Sequence, residues 1–326
     1  MYIGTQVGCR NDTDIEVLAQ LGVFNVDQTP VEPWEDWTPD TLKEMRDRFD
    51  KHDVKVEMIH IPLGSDSAFR NGAGAVFLGP SDERDRQIER MCETVRMGAE
   101  AGLRGFNYNI TILGHMRTEP RYGRGGAKLS SFEYDKLDQS AGEFEGGPAG
   151  EDEMWERIDH WLQQIMPVAE EYRIQMACHP SDPGIGYGKT YRGVARVLGM
   201  VDGFKKLIDL YDSPYNGMNF CLGCMSESLE NPAEEIDDVI RYFGERKKIF
   251  NVHFRNIKGR LGDFVEVFPD EGDVDMLGAL RTFQEVGYEY MIMPDHVPGI
   301  SGEESGRVGF AYTYGYIHAL LQAVNE

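Results

Sequence analysis

The chain is short of cysteine and of positive charge, and it has no long apolar run. Its 326 residues hold five cysteines, Cys9, Cys92, Cys178, Cys221 and Cys224. An odd number without regular spacing excludes the disulfide scaffold of a small secreted domain and fits a reducing compartment. Cys221-Leu-Gly-Cys224 is a CxxC, but a structural zinc site needs a second such pair, and none is present. Lys and Arg number 33 against 56 Asp and Glu, a net charge of -23. That field repels polyanions and excludes nucleic acid and anionic membrane surfaces as partners. It leaves room for a small anionic substrate, because a metal or an arginine reverses the potential locally. No stretch approaches the ~20 apolar residues of a membrane span. The start, Met1-Tyr-Ile-Gly-Thr-Gln6, has no basic segment ahead of an apolar core, so a cytoplasmic protein is expected. No GxGxxG follows the first strand-like run, which removes the main support for a nucleotide cofactor.

What the chain does have is regular alternation. Strand-like runs at 2–7, 23–27, 54–61 and 105–112 each precede a stretch of helical periodicity, as do four later runs. Thr38-Pro39 and Ser81-Asp-Glu supply the cap residues that open two of the helices. Eight strand–helix pairs in about this length predict a parallel sheet closed into a (β/α)8 TIM barrel, one domain over 1–326. A stretch at about 115–150 does not fit the pattern. It is rich in glycine (Gly123, Gly125, Gly126, Gly142, Gly146, Gly147, Gly150) and charge, follows the fourth strand, and reads equally as a lid or a disordered loop.

The last four strand-like runs share a feature. Arg173-Ile-Gln-Met-Ala-Cys-His179, Gly217-Met-Asn-Phe-Cys221, Ile249-Phe-Asn-Val-His253 and Tyr290-Met-Ile-Met-Pro-Asp295 each close on a metal-ligand type. In a parallel barrel those ends converge on the face where active sites form. Two imidazoles, a thiolate and a carboxylate suit Mn, Fe, Co or Zn; the thiolate argues against Mg and Ca. Cys178 alternates away from His179 and reads as packing, and Cys224 as a plain loop cysteine. His52, His160 and His318 fall in or beside helices and read as ordinary. His296, directly after Asp295, is a candidate general acid or base. Arg255, two residues past His253, is placed to grip a carboxylate, or else to make a salt bridge with one of the many acids. Asn109 and His60, at the ends of the fourth and third strands, are candidates to hydrogen-bond a polyol.

At these residues the sequence resembles the mannonate dehydratase family, sugar-acid dehydratases of the xylose-isomerase-like barrels. The matching stretches are Tyr108-Asn109 through Arg117-Thr118, Met176-Ala-Cys-His-Pro-Ser-Asp-Pro183, Cys221-Leu-Gly223, Val252-His-Phe-Arg-Asn-Ile257 and Pro294-Asp-His296, with the acidic segment from Phe264 to Met276. The resemblance implies Mn(II) or Fe(II) held by His179, Cys221, His253 and Asp295, and loss of water from D-mannonate to give 2-keto-3-deoxy-D-gluconate. It implies a proton-transfer role for His296 and charge stabilisation by Arg255; substrate contacts are expected from Asn109, His60, Arg255 and Arg117, and a homo-oligomer is expected. Two positions depart from the family. Phe310 stands where a proton-transferring tyrosine is usual, which leaves Tyr312 as the neighbouring candidate for that role. Gly114-His115 stands where the family has Asp-Trp. These departures keep open another metal-dependent isomerase, epimerase or lyase of the same barrels, and a non-catalytic protein that retains the metal.

Overall fold

The computed structural model describes residues 1–302 and 305–325. Eight parallel strands form one sheet: β1 Tyr2–Ile3, β2 Asn25–Asp27, β3 Lys55–His60, β4 Gly105–Asn109, β5 Gln175–His179, β6 Asn216–Cys221, β7 Ile249–His253 and β8 Met291–Met293. Their order is 1-8-7-6-5-4-3-2, and a parallel bridge between Thr5 and Val26 joins the two ends into a barrel. The predicted barrel is therefore the observed one, with all eight strand positions as expected. Closure leaves no free sheet edge, so every strand can be apolar on its outer face.

The main helices follow in turn: α1 Asp12–Gln20, α2 Pro39–Asp50, α3 Asp82–Glu100, α4 Glu151–Tyr172, α5 Val201–Leu210, α6 Pro232–Glu245, α7 Met276–Glu285 and α8 Ser305–Asn325. Thr38 caps α2 in a reciprocal capping box with Thr41, and Ser81 caps α3. The large core lies between strands and helices, where Tyr108, Phe220, Trp161 and Phe243 are fully buried. Cys178 joins this layer, as its alternation requires. A smaller core of Met58, Ala177, Phe250, Met291 and Met293 fills the barrel interior. No described helix is long and apolar enough to cross a membrane.

The glycine-rich stretch is built into the fold, which answers the disordered reading against itself. Ser131–Glu133 pairs with Asp263–Val267, which pairs in turn with Asn256–Arg260, all antiparallel. Phe132, Phe264, Ile257, Met116 and Ile185 pack as a separate cluster under this small sheet.

Candidate metal centre

Period-2 alternation turns the last inward position of each of four successive strands toward the barrel axis. His179, Cys221 and His253 are the final residues of β5, β6 and β7, and Asp295 lies two residues past β8. All four are buried, and one donor atom from each lies within 4.8 Å of the others. The His179 and His253 ring centroids are 5.0 Å apart. His253 Nδ1 is 3.4 Å from Asp295 Oδ1, and Cys221 Sγ is 3.5 Å from Asp295 Oδ2.

The surrounding hydrogen bonds fit a divalent cation. His179 Nδ1 lies 2.8 Å from the Pro180 carbonyl and donates to it, which leaves the Nε2 lone pair free. His253 Nε2 lies 2.9 Å from the Asn219 side-chain amide. Asn219 Oδ1 and His253 Nδ1 are both buried without a hydrogen-bond partner. Turning the Asn219 amide over lets its oxygen accept from Nε2–H and directs the Nδ1 lone pair at Asp295 and Cys221.

Electrostatics point the same way. Burial pushes the Cys221 thiol up, but its bond with Cys224 and the charge of Arg255 hold it well below the ordinary thiol range. Burial also opposes ionisation of Asp295, and His296, His253 and Arg255 overcome it, holding the carboxyl well below its usual range. Burial lowers His253, while Asp295 and Cys221 raise it to about 9. Two anionic donors thus favour a proton on His253, which a cation would displace on binding.

Beneath this group sits a tier of ions that the sequence reading missed. Arg255 is 2 % exposed. It reaches Glu227 at 2.8 Å, Glu266 at 2.7 Å, Asp295 at 3.1 Å and Asp182 at 3.2 Å, and donates to Cys224 Sγ at 3.1 Å. Its salt-bridge reading matches the geometry: the guanidinium is shared among four carboxyl groups and does not line the cavity above. Arg117 is likewise committed, to both oxygens of Asp182 at 2.5 and 2.8 Å and to Glu266. Cys224 lies not in a loop but in the first turn of a short helix, Leu222–Glu227, capped by Cys221.

A cavity of about 400 Å³ opens over the donors and is lined by three of them, His179, His253 and Asp295. Of the eight histidines, His60, His115, His179, His253 and His296 all line it, together with Asn109. His296 Nδ1 is 3.0 and 3.1 Å from the Glu266 oxygens, and its ring meets His115 edge-on at 5.3 Å. Burial lowers His296, but Asp295 and Glu266 raise it to about 10. Arg196 also borders the cavity and spends its guanidinium on the Pro183, Gly114 and Asp182 carbonyls, fixing the loop that carries His115.

A profile of the D-mannonate dehydratase (UxuA) family matches residues 126–325, well over half of the chain. The chain belongs to this family. A mannonate dehydratase of Thermotoga petrophila is 29% identical over 283 residues, covering 74% of this chain and 76% of the relative. Mannonate dehydratase 2 of Halalkalibacterium halodurans is 27% identical over 324 residues, covering 89% and 88%. Among solved structures, mannonate dehydratase from Streptococcus suis serotype 2 superposes with a TM-score of 0.83 at 21% identity, covering 99% of this chain and 95% of that one.

Within the family frame, the tyrosine substitute fails on geometry. Tyr312 is half exposed on the outside of α8, beside Phe268 and the Arg124 guanidinium, and does not border the cavity. Two residues along a helix turn the side chain by about 200°. Phe310 and Tyr314 face a groove with Cys9 and Leu18 instead, and Tyr314 bonds Thr5 at 2.7 Å. His115, at the other departure, does border the cavity.

Proposed function

We propose that this protein is a metal-dependent hydro-lyase that removes water from D-mannonate to give 2-keto-3-deoxy-D-gluconate. The observation that carries the reading is the convergence of His179, Cys221, His253 and Asp295 under a histidine-rich cavity, in a chain of the mannonate dehydratase family. Those four residues would hold Mn(II) or Fe(II), the ions their mixed N, S and O donors suit. When bound, the ion supplies Lewis-acid stabilisation of negative charge on the carboxylate end of the sugar acid.

The chain's own residues do the rest. Arg255 keeps Cys221 and Asp295 anionic from below and does not touch substrate. Arg117 fixes Asp182 and Glu266, and Glu266 aims His296. His296 moves a proton, either at C2 or at the departing C3 hydroxyl. Asn109 hydrogen-bonds the polyol from the β3–β4 side, where His60 borders the same cavity. Water loss changes no overall oxidation state, so no nucleotide is called for.

Purified protein with Mn²⁺ and D-mannonate should form a 2-keto acid, read by semicarbazide absorbance. No product with Mn²⁺, Fe²⁺ or Co²⁺ would sink the reading. The isomerase or epimerase alternative rests on Gly114-His115, and turnover of a neutral aldose or ketose in place of the sugar acid would favour it.

A further inference from the structure

We propose that His60, oriented by the buried carboxylate of Asp27, is a second proton-transfer residue of this site, acting from the wall opposite the four metal-type donors. The proposal rests on the dehydratase reading. Elimination of water involves two proton events: the C2 hydrogen is taken, and the C3 hydroxyl receives a proton as it leaves. His296 serves one of them.

Among the described residues, neither a tyrosine nor a lysine lines the cavity. Asp182 is held by Arg117 and Arg255, and Asp295 by Arg255. Outside the metal-type donors, this leaves the imidazoles of His60, His115 and His296. His115 is 3.5 Å from Asp182 Oδ2, a longer contact than that of His60 with Asp27 and to an oxygen already shared by the two arginines.

His60 is fixed differently. Its Nε2 is 3.1 Å from Asp27 Oδ2, and Asn107 Nδ2 donates to the same oxygen at 2.5 Å. Asp27 is 2 % exposed and has no arginine or lysine partner among the described residues. Its Oδ1 is buried and unpaired, as is Asn107 Oδ1. Asp27 and His60 are the final residues of β2 and β3, the strand-end position from which barrel enzymes draw their chemistry. With Nε2–H donated to Asp27, the lone pair sits on Nδ1, and the ring borders the cavity. A carboxylate in that place sets the tautomer and stabilises the imidazolium once it forms, as in a Ser-His-Asp triad. In the sheet order, β3 lies across the barrel from β7, with β4, β5 and β6 between them.

The step balances as follows. Neutral His60 accepts the C2 proton at Nδ1, and the C–H electron pair moves into the C1–C2 bond. That pair then forms the C2–C3 double bond as the C3–O bond breaks. The departing hydroxide takes a proton from His296 and leaves as water. The resulting enol picks up a proton at C3 and gives one up from its C2 hydroxyl to become the 2-keto acid.

The test compares D-mannonate turnover by the Mn²⁺-loaded wild type, His60→Ala, His60→Gln, Asp27→Asn and the Asp27→Asn/His60→Ala double variant. His60→Ala should lose ~10²–10⁴-fold in kcat with KM, metal content and melting temperature near wild type, and added imidazole should restore part of the rate. His60→Gln can still hydrogen-bond Asp27 but has no basic nitrogen, and should fall as far. Asp27→Asn should lose less, and the double variant should be no worse than His60→Ala alone. A His60→Gln protein with wild-type kcat, a change confined to KM, or variants that lose metal or stability would overturn the proposal and leave His60 a binding or structural residue. An inactive wild type would remove the dehydratase reading and this proposal with it; an active wild type with an equally active His60→Ala would remove this proposal alone.

Discussion

The two ends of the barrel each carry buried charge, and they handle it in opposite ways. At the N-terminal end, the Tyr2 hydroxyl lies 2.7 and 2.8 Å from the two oxygens of Glu57 and donates its one hydrogen to that carboxylate, and Arg104 donates to Glu57 at 3.2 Å. Arg104 also bonds Gln175 and the Phe250 carbonyl, and lies 4.1 Å from the Tyr290 ring centre. One acid meets one base. At the C-terminal end, Asp182, Glu266, Asp295 and Cys221 face Arg117 and Arg255, while burial pushes Glu227 well up towards its neutral form. Anions outnumber fixed cations there, and His253 Nδ1, Asn219 Oδ1, Glu227 Oε2 and Asp27 Oδ1 are buried without hydrogen-bond partners. At the first end one guanidinium answers one carboxylate and ties strands together; at the second, several acids and unpaired acceptor atoms crowd one point, which suits a cation and a ligand.

The largest test of this contrast is to remove a donor. His253→Ala, or chelation of the wild type, should cut turnover by more than ~10³-fold, on the scale of the several kcal/mol a catalytic metal supplies. Metal content by elemental analysis should fall in step for the variant. Undiminished metal would show that the cation sits elsewhere.

Next comes the charge balance itself. Arg255→Ala leaves four carboxyl groups around an empty buried site and should cost ~3–5 kcal/mol in denaturant unfolding, together with loss of metal. Arg104→Ala takes a donor from Glu57, Gln175 and the Phe250 carbonyl, and each abandoned acceptor should cost about 1–3 kcal/mol, with metal content and turnover kept. Equal effects from the two variants would dissolve the distinction between the ends.

How much of this was legible follows the range of the interactions. Each strand and its following helix is a local pattern, so the eight strand ends, and with them His179, Cys221, His253 and Asp295, could be read residue by residue. The surroundings of Arg255 could not. Its partners sit at 182, 227, 266 and 295, on four different elements, and only the closed barrel brings them together. The stretch at 115–150 hid its order for the same reason: Ser131–Glu133 finds its partner strand more than a hundred residues later. Tyr312 lies on the outer face of α8, as its spacing of two residues from Phe310 along a helix requires. Asp27 carried no signal beyond its place at a strand end, because its use depends on His60 from the neighbouring strand.

A smaller effect separates holding a metal from positioning its ligand. Asn219 touches His253 at Nε2, on the side away from the other donors. Asn219→Ala should leave the four donors in place and weaken metal affinity by about 10–100-fold, as loss of a ligand-orienting hydrogen bond does. Competition with a chelator of known affinity measures it. Unchanged affinity would mean that the strand, and not the amide, sets the His253 ring.

The smallest effect belongs to the quiet end. Tyr2→Phe removes one phenol hydroxyl and changes little else, since the ring still packs on the inner apolar layer. Glu57 keeps Arg104, so its charge stays compensated. The hydroxyl is a donor to a charged acceptor, which places the loss at about 1.5–3 kcal/mol; the variant should sit near the lower figure because Arg104 stays. Thermal unfolding should show that loss while metal content and kcat remain at wild-type values. A fall in kcat would mean that the two polar clusters are coupled through Met58, Phe250 and Met293. Independence is the expected result, because the Met58, Phe250 and Met293 side chains between them carry no charge and hold no exchangeable proton to relay a change.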